Sequence, residues 1–178
     1  FRSVTMQDGN TVLVHQQKQF YETESKFVHN VFFSWEHKFD ITDVEQINYK
    51  LFREKKKEEL YLYADAISKL EFYYDNRLAL TTITLKDLER LNTTEDSTPG
   101  LIFLLSGLKD IDVLCVMCEE ENGKYKIAFR SNTTDVCALA SLFGGGGHKF
   151  ASGCKIYGTK NTVKKKILEK TREYLCME

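Results

Sequence analysis

The spacing of apolar residues changes several times along the chain, and the changes divide it into elements. "TVLVHQQ" (11–17) reads as a strand, whereas "FVHNVFFSW" is apolar with no clean period. A helical period begins at "ITDVEQINYKLF", where Thr42 or Asp43 can cap the start and Val44, Ile47 and Leu51 share a face. It resumes in "LYLYADAISKLEFYY" (60–74), with Leu60, Ala64, Ile67 and Leu70 in register as the expected buried stripe. From there strands and helices interleave. "RLALTTIT" is a strand, "LKDLERL" a short helix, and "NTTEDSTPG" a polar loop. Ser97 or Thr98 before Pro99 opens "GLIFLLSGL", expected as a buried helix ending near Gly107.

"IDVLCVMCEE" and "KYKIAFRS" are strands joined at Asn122-Gly123, a hairpin signal. "TTDVCALASLF" is a helix capped by Thr133 or Thr134, with Val136, Leu139, Ala140 and Phe143 on one side. "GCKIYG" is a short strand, and "TKNTVKKKILEKTREYL" an amphipathic helix on Val163, Ile167, Leu168 and Leu175. The alternation predicts an α/β sheet domain over 60–178, preceded by a helical linker at 41–59 and an N-terminal segment, 1–40, that follows no clear pattern.

Composition narrows the classes. Of 178 residues, 42% are hydrophobic, enough for a buried core, and the net charge of −1 excludes the global basic field of a non-specific DNA coater. Any anion site must therefore be local. No apolar run approaches the roughly 20 residues that span a bilayer, and "FRSVTMQDGN" lacks the apolar centre of a signal peptide. The expectation is a cytoplasmic protein with no membrane partner and with its five cysteines reduced. Phe1 in place of Met suggests a processed or partial chain.

"SLFGGGGHKFASGC" (141–154) contains the least ordinary stretch. Ordering four glycines costs about 1 kcal/mol each, so the backbone should gain something in return. Glycine permits close approach, and successive amides can converge on an anion. His148 adds a donor and, once protonated, a positive charge. A helix stop alone would require one glycine. Upstream, Arg130 and Ser131 end a strand just before a helix whose first amides, near Thr133 and Thr134, present a positive dipole end. On this reading Arg130 and the run 144–148 lie at opposite ends of a helix about 15 Å long and hold two points of one extended ligand.

The run "IAFRSNTTDVCALASLFGGGGHKFASG" resembles the signature of the DHHA1 domain, the C-terminal half of DHH-family phosphoesterases. The nearest branch is that of short-oligoribonucleotide hydrolases that also remove the 3′-phosphate of adenosine 3′,5′-bisphosphate. Weaker likeness extends back through "DVEQINYKLFREKKKEELYLYADAISKLEF", so that the resemblance covers about residues 41–178 and implies that 1–40 are a remnant or divergent end of the preceding domain. It implies a DHHA1-like mixed β-sheet flanked by helices. It also implies that Arg130, Ser131, Gly144, Gly145, Gly146, Gly147 and His148 bind a short RNA or a nucleotide phosphate, with Ala151, Ser152 and Gly153 packed beneath the loop. Ser152 stands where alanine is more usual in the motif, a change expected to be tolerated.

In that family a DHH domain in cis holds two divalent cations, usually manganese, that activate water. This sequence has no Asp-His-His, and its other histidines, His15, His29 and His37, lack ligand spacing; Asp40 near His37 is the nearest approach. The resemblance therefore implies substrate holding by this chain, no metal or other cofactor of its own, and manganese-dependent cutting by a DHH domain outside it. Two alternatives share the signature or fold: a non-catalytic protein-interaction or regulatory module, and an alanyl-tRNA-synthetase-like C-terminal tRNA-binding module.

Other candidates weigh less. Cys115 and Cys118 have C-x-x-C spacing, but in a strand i and i+3 point to opposite faces. Cys137, Cys154 and Cys176 read as small fillers or exposed thiols. The charge run at 53–59, the lysines of "VKKKILEK" and the acidic residues Asp110, Asp112 and 119–121 read as solvated, and Tyr61, Tyr63, Phe72, Tyr73 and Tyr74 as core.

Overall fold

The computed structural model describes residues 2–5, 11–14, 49, 53–121 and 123–176. They fall into two compact units, Phe1–Lys55 and Lys56–Glu178. In the first, β1 (Arg2–Thr5) pairs antiparallel with β2 (Thr11–Val14), so the strand expected from "TVLVHQQ" is present. The helix expected from "ITDVEQINYKLF" lies, but for Tyr49, outside the described residues, as do His15, His29, His37 and Asp40.

The second unit is a six-stranded mixed sheet with helices on both faces, as expected. In chain order it runs α1 (Lys57–Ser68), β3 (Glu71–Tyr73), β4 (Leu78–Ile83), α2 (Leu85–Arg90), α3 (Thr98–Leu105), β5 (Val113–Glu121), β6 (Lys124–Arg130), α4 (Val136–Ser141), β7 (Gly146–His148), β8 (Ala151–Tyr157) and α5 (Lys160–Leu175). The strand order is β3-β4-β5-β6-β8-β7; β4 and β5 are parallel and every other pair antiparallel.

The strand sequences record how each face is covered. "LALTTI" and "VLCVMC" are almost continuously buried, because β4 and β5 have helices on both sides. Ala79, Ile83, Leu114, Val116 and Cys118 meet Leu62, Tyr63 and Ala66 of α1, Leu88 of α2, and Leu101 and Leu105 of α3. On the opposite face Leu78, Leu80, Cys115 and Met117 join Tyr125, Ile127, Phe129, Cys154 and Ile156 beneath α4 and α5. In β6 and β8 burial alternates instead, residue by residue. Their even-numbered β6 and odd-numbered β8 positions lie on the α1–α3 face, where Lys126, Lys155 and Tyr157 are exposed. The helices end at β5, and half of that face is left open among the described residues.

Caps set the helix starts. Thr84 and Asp87 form a reciprocal capping box on α2, Pro99 lies in the first turn of α3, and Thr159 accepts from the Thr162 amide to start α5. Gly123, at φ 78°, turns β5 into β6 as the Asn-Gly dipeptide predicts. Cys115 and Cys118 point into opposite cores, as the strand spacing requires.

Three expectations change. The helix expected over 60–74 stops at Ser68, and Glu71–Tyr73 pair with β4 as an edge strand. Three successive left-handed residues, Tyr74, Asp75 and Asn76 (φ 59°, 55° and 68°), make the turn that allows this. The stripe Leu60, Ala64, Ile67 is exposed, and so are Tyr61 and Phe72, which the sequence reading places in the core; Leu62, Tyr63 and Ala66 are buried instead. This helix carries two apolar stripes, and periodicity alone does not choose between them. Helix α3 buries Leu101 and Leu105 but exposes Phe103 and Leu104, so it is half-covered rather than buried.

Candidate phosphate site

Arg130 ends β6, and His148 ends β7. Between these strands runs β8, and its Ala151 pairs with both residues: Arg130 with Ala151, and Ala151 with His148. The three side chains therefore stand in one row on one face of the sheet. Neighbouring strands lie about 4.8 Å apart, so the two basic residues flank Ala151 across about 10 Å. This corrects the expectation that Arg130 and the glycine run sit at opposite ends of a helix. The chain after Arg130 rises through α4 and returns to the same sheet edge.

The guanidinium has no carboxylate partner among the described residues. Its Nη1 donates to the carbonyls of Phe129 (2.8 Å) and Ser152 (3.4 Å), which fixes its direction but leaves most of its five N–H donors unspent. Burial pushes its pKa down from the ordinary value, yet an arginine stays charged. A half-buried cation with no counter-charge favours an anion at this place. His148 is exposed beside it.

The glycines divide by role. Gly144, at φ 72°, ends α4: its amide donates to the Ser141 carbonyl and that of Gly145 to the Ala140 carbonyl, both at 3.0 Å. This is the Schellman pattern of a helix terminus. Gly145 lies so near β8 that a Cβ would come within 2.3 Å of the Gly153 carbonyl oxygen. Gly147 has φ 145°, and a Cβ there would sit 2.7 Å from the Ala151 carbonyl oxygen. Gly146 is different: its φ is ordinary and a Cβ would meet nothing within 4 Å. The amides expected to converge as one nest divide instead: those of Gly144 and Gly145 are spent on α4, and Gly146–His148 form the edge strand β7, paired with β8 on one side only. Three of the glycines serve the fold. Gly146, paired with Gly153 on the open face, is one that the fold does not demand.

The helix start is likewise taken. Ser131 is buried, and its Oγ accepts from the amides of Thr133 (3.0 Å) and Thr134 (2.8 Å). Asp135, not Thr133 or Thr134, caps α4, accepting from Cys137 and Ala138 at 2.9 and 3.1 Å. The dipole end expected to face a ligand is thus neutralised internally, and Ser131 shapes the turn behind Arg130. Ser152, where the motif more usually has alanine, is buried and donates to the Val136 carbonyl, tying β8 to α4. Sequence reasoning missed Ala151 as the spacer between the two basic side chains, because cross-strand register is not encoded locally.

Among the described residues no group of three or more His, Cys, Asp or Glu side chains is placed to hold a metal ion, and no helix is long and apolar enough to cross a membrane.

With this geometry in place, comparison with known proteins decides the family. The profile of the DHHA1 domain matches residues 78–175. This chain belongs to the DHHA1 domain family. The matched region runs from β4 to the end of α5 and so contains the row Arg130–Ala151–His148. The bifunctional oligoribonuclease and PAP phosphatase NrnA of Mycoplasma genitalium is 36% identical over 77 residues, covering 43% of this chain and 24% of that protein. The probable bifunctional oligoribonuclease and PAP phosphatase NrnA of Streptococcus mutans is 28% identical over 98 residues, 51% of this chain and 32% of that one. The matched DHHA1 region spans about a third or less of these curated relatives. The solved structure of an exopolyphosphatase-related protein from Bacteroides fragilis superposes with a TM-score of 0.70 at 24% identity, covering 86% of this chain and 44% of that one; it shares the fold.

Proposed function

We propose that this DHHA1 domain holds a terminal phosphate of a short oligoribonucleotide or nucleotide between Arg130 and His148. The observation that carries the reading is the shared row: a half-buried guanidinium without a counter-charge, an imidazole two strands away, and a methyl group between them. Arginine grips phosphate with two parallel hydrogen bonds, and an imidazole donor completes the grip from the other side. Gly146, in the next row of the same face, keeps that approach free of a side chain. Ser131, Gly144, Gly145 and Gly147 serve the site by placing these groups and carry no ligand contact of their own. The names of the curated relatives support an oligoribonucleotide or a 3′,5′-bisphosphate nucleotide as the ligand.

In this reading the cleavage chemistry belongs to a DHH domain acting on the same substrate, with manganese supplying activated water there. No bond-breaking step is assigned to Arg130, His148 or their neighbours. The test is a titration of the full chain with a 5′-phosphorylated dinucleotide at two salt concentrations. Binding should weaken as salt rises, by about 0.7 in log K per log unit of salt for each phosphate held on a single strand. Arg130→Glu and His148→Ala should each remove most of it. Unchanged binding in both variants, or binding insensitive to salt, overturns the reading.

A further inference from the structure

The open half of the sheet extends well beyond the phosphate row. From Arg130 the same face of β6 continues through Ala128 and Lys126 to Lys124, and from Ala151 the same face of β8 continues through Gly153 and Lys155 to Tyr157. The cross-strand pairs form four rows: Arg130 with Ala151 and His148, Ala128 with Gly153 and Gly146, Lys126 with Lys155, and Lys124 with Tyr157. Rows on one face are about 6.7 Å apart, a spacing on which an extended nucleotide strand can repeat its phosphates.

The second row has no side chain larger than a methyl group, so it is a floor over which a backbone can pass. The third presents two exposed ammonium groups. Lys126 makes no ion pair with a described residue. Lys155 reaches Glu120 at 3.0 Å, and Lys124 shares that carboxylate at 3.4 Å while also meeting Glu121, its β5 neighbour, at 3.3 Å; three lysines thus face two carboxylates, and the excess positive charge is that of Lys126. In the fourth, Tyr157 is 68% exposed, the most exposed large apolar residue described. A tyrosine ring standing free at the end of a cationic track matches the arrangement by which single strands are held, charges along the backbone and an aromatic face under a base.

We propose that Lys126 and Lys155 form a second phosphate anchor, with Tyr157 as a base-stacking platform beyond it, so that the domain selects strands of three or more nucleotides over mononucleotides. This rests on the assignment of the terminal phosphate to Arg130 and His148. The first and third rows are about 13 Å apart along the strands, which one nucleotide cannot bridge. Charge complementarity along the whole track favours a polyanion with regular spacing over a protein partner, because the floor between the anchors offers no apolar surface to bury.

The experiment measures binding of the full chain to a 5′-phosphorylated mononucleotide and to a 5′-phosphorylated tetranucleotide. Wild type should bind the tetranucleotide at least tenfold more tightly. The double variant Lys126→Ala, Lys155→Ala should lose that advantage and about 0.7 to 1.4 of the salt slope, while binding the mononucleotide as wild type does. Tyr157→Ala should cost the tetranucleotide about tenfold and the mononucleotide nothing. All three side chains are exposed, so the variants should retain the thermal transition of wild type. Equal affinity of wild type for both lengths, or equal loss of both in the lysine variant, overturns the second anchor. In either case, mononucleotide binding by wild type that Arg130→Glu abolishes leaves the terminal-phosphate reading standing. Binding of poly-glutamate in place of the tetranucleotide overturns the second anchor in favour of an acidic protein partner.

Discussion

Arg130 and His148 lie 18 positions apart in the chain and face each other across a single residue, Ala151, in one row of the sheet. The methyl group of Ala151 is what keeps the space between them open. Ala151→Leu should fill that space on a half-exposed face at little cost to folding, within about 0.5 kcal/mol, and should abolish nucleotide binding. Thermal unfolding and a dinucleotide titration on the same preparation check this; a leucine variant that binds as wild type would place the ligand elsewhere.

The glycine run offers a sharper separation of fold from function. Gly146→Ala introduces a Cβ into open space at an ordinary backbone angle, so its thermal transition should match wild type while its nucleotide affinity falls. Gly145→Ala forces a Cβ to within 2.3 Å of the Gly153 carbonyl oxygen and must push β7 from β8. Overpacking of this kind costs about 1–3 kcal/mol, and the transition should fall accordingly. If Gly146→Ala destabilises as much as Gly145→Ala, the run is purely structural.

The two variants also show how far the sequence could be read. Four consecutive glycines before a histidine announce a constrained loop. They do not reveal that two of the amides close a helix or that Gly146–His148 pair with β8 as an edge strand, because those partners, Ala140, Ser141 and β8, are chosen by tertiary packing. The core strands and α5 were legible because apolar period and caps agree along "VLCVMC" and "TKNTVKKKILEKTREYL". The end of α1 was not: "EFYY" has helical apolar spacing, and only pairing with β4 and the left-handed turn at 74–76 make Glu71–Tyr73 a strand. The row of Arg130, Ala151 and His148 was invisible for the same reason that any register is. It joins residues from three strands.

Burial sorts the thiols. Cys115, Cys118 and Cys154 are buried, and burial pushes the last two up to about 11 and Cys115 well above its usual range. Cys137 is half-buried and donates its thiol to the Gly147 carbonyl at 3.3 Å, whereas Cys176 is exposed. A maleimide at neutral pH should label Cys176 at once, Cys137 slowly, and the other three only on unfolding. Saturating nucleotide should slow Cys137 further, since a ligand beside Gly146 and His148 steadies β7. Peptide mapping after timed labelling reads the order; early labelling of Cys118 would contradict the buried strand β5.

Asp87 joins a local motif to the global acid response. Burial alone would raise its carboxyl pKa, but hydrogen bonds from Lys69, from the Thr84 amide and hydroxyl, and from Arg90 outweigh it and hold the pKa well below the usual carboxylate range. A carboxyl depressed in the folded state stabilises fully above its unfolded pKa of about 3.9 and loses that contribution as pH falls toward the folded value. Wild type should therefore lose stability steadily below about pH 4. Asp87→Asn keeps the shape but removes the charge, so it gives up the pairing with Lys69 (2.6 Å) and weakens the capping box of α2, at a cost of about 1–2 kcal/mol near pH 7. The gap between the two proteins in urea unfolding should be widest at neutral pH and shrink as pH drops below 4, because acid does to wild type what the substitution has already done. A gap that stays constant down to pH 2 would mean that Asp87 acts through shape alone and that its charge contributes nothing to α2.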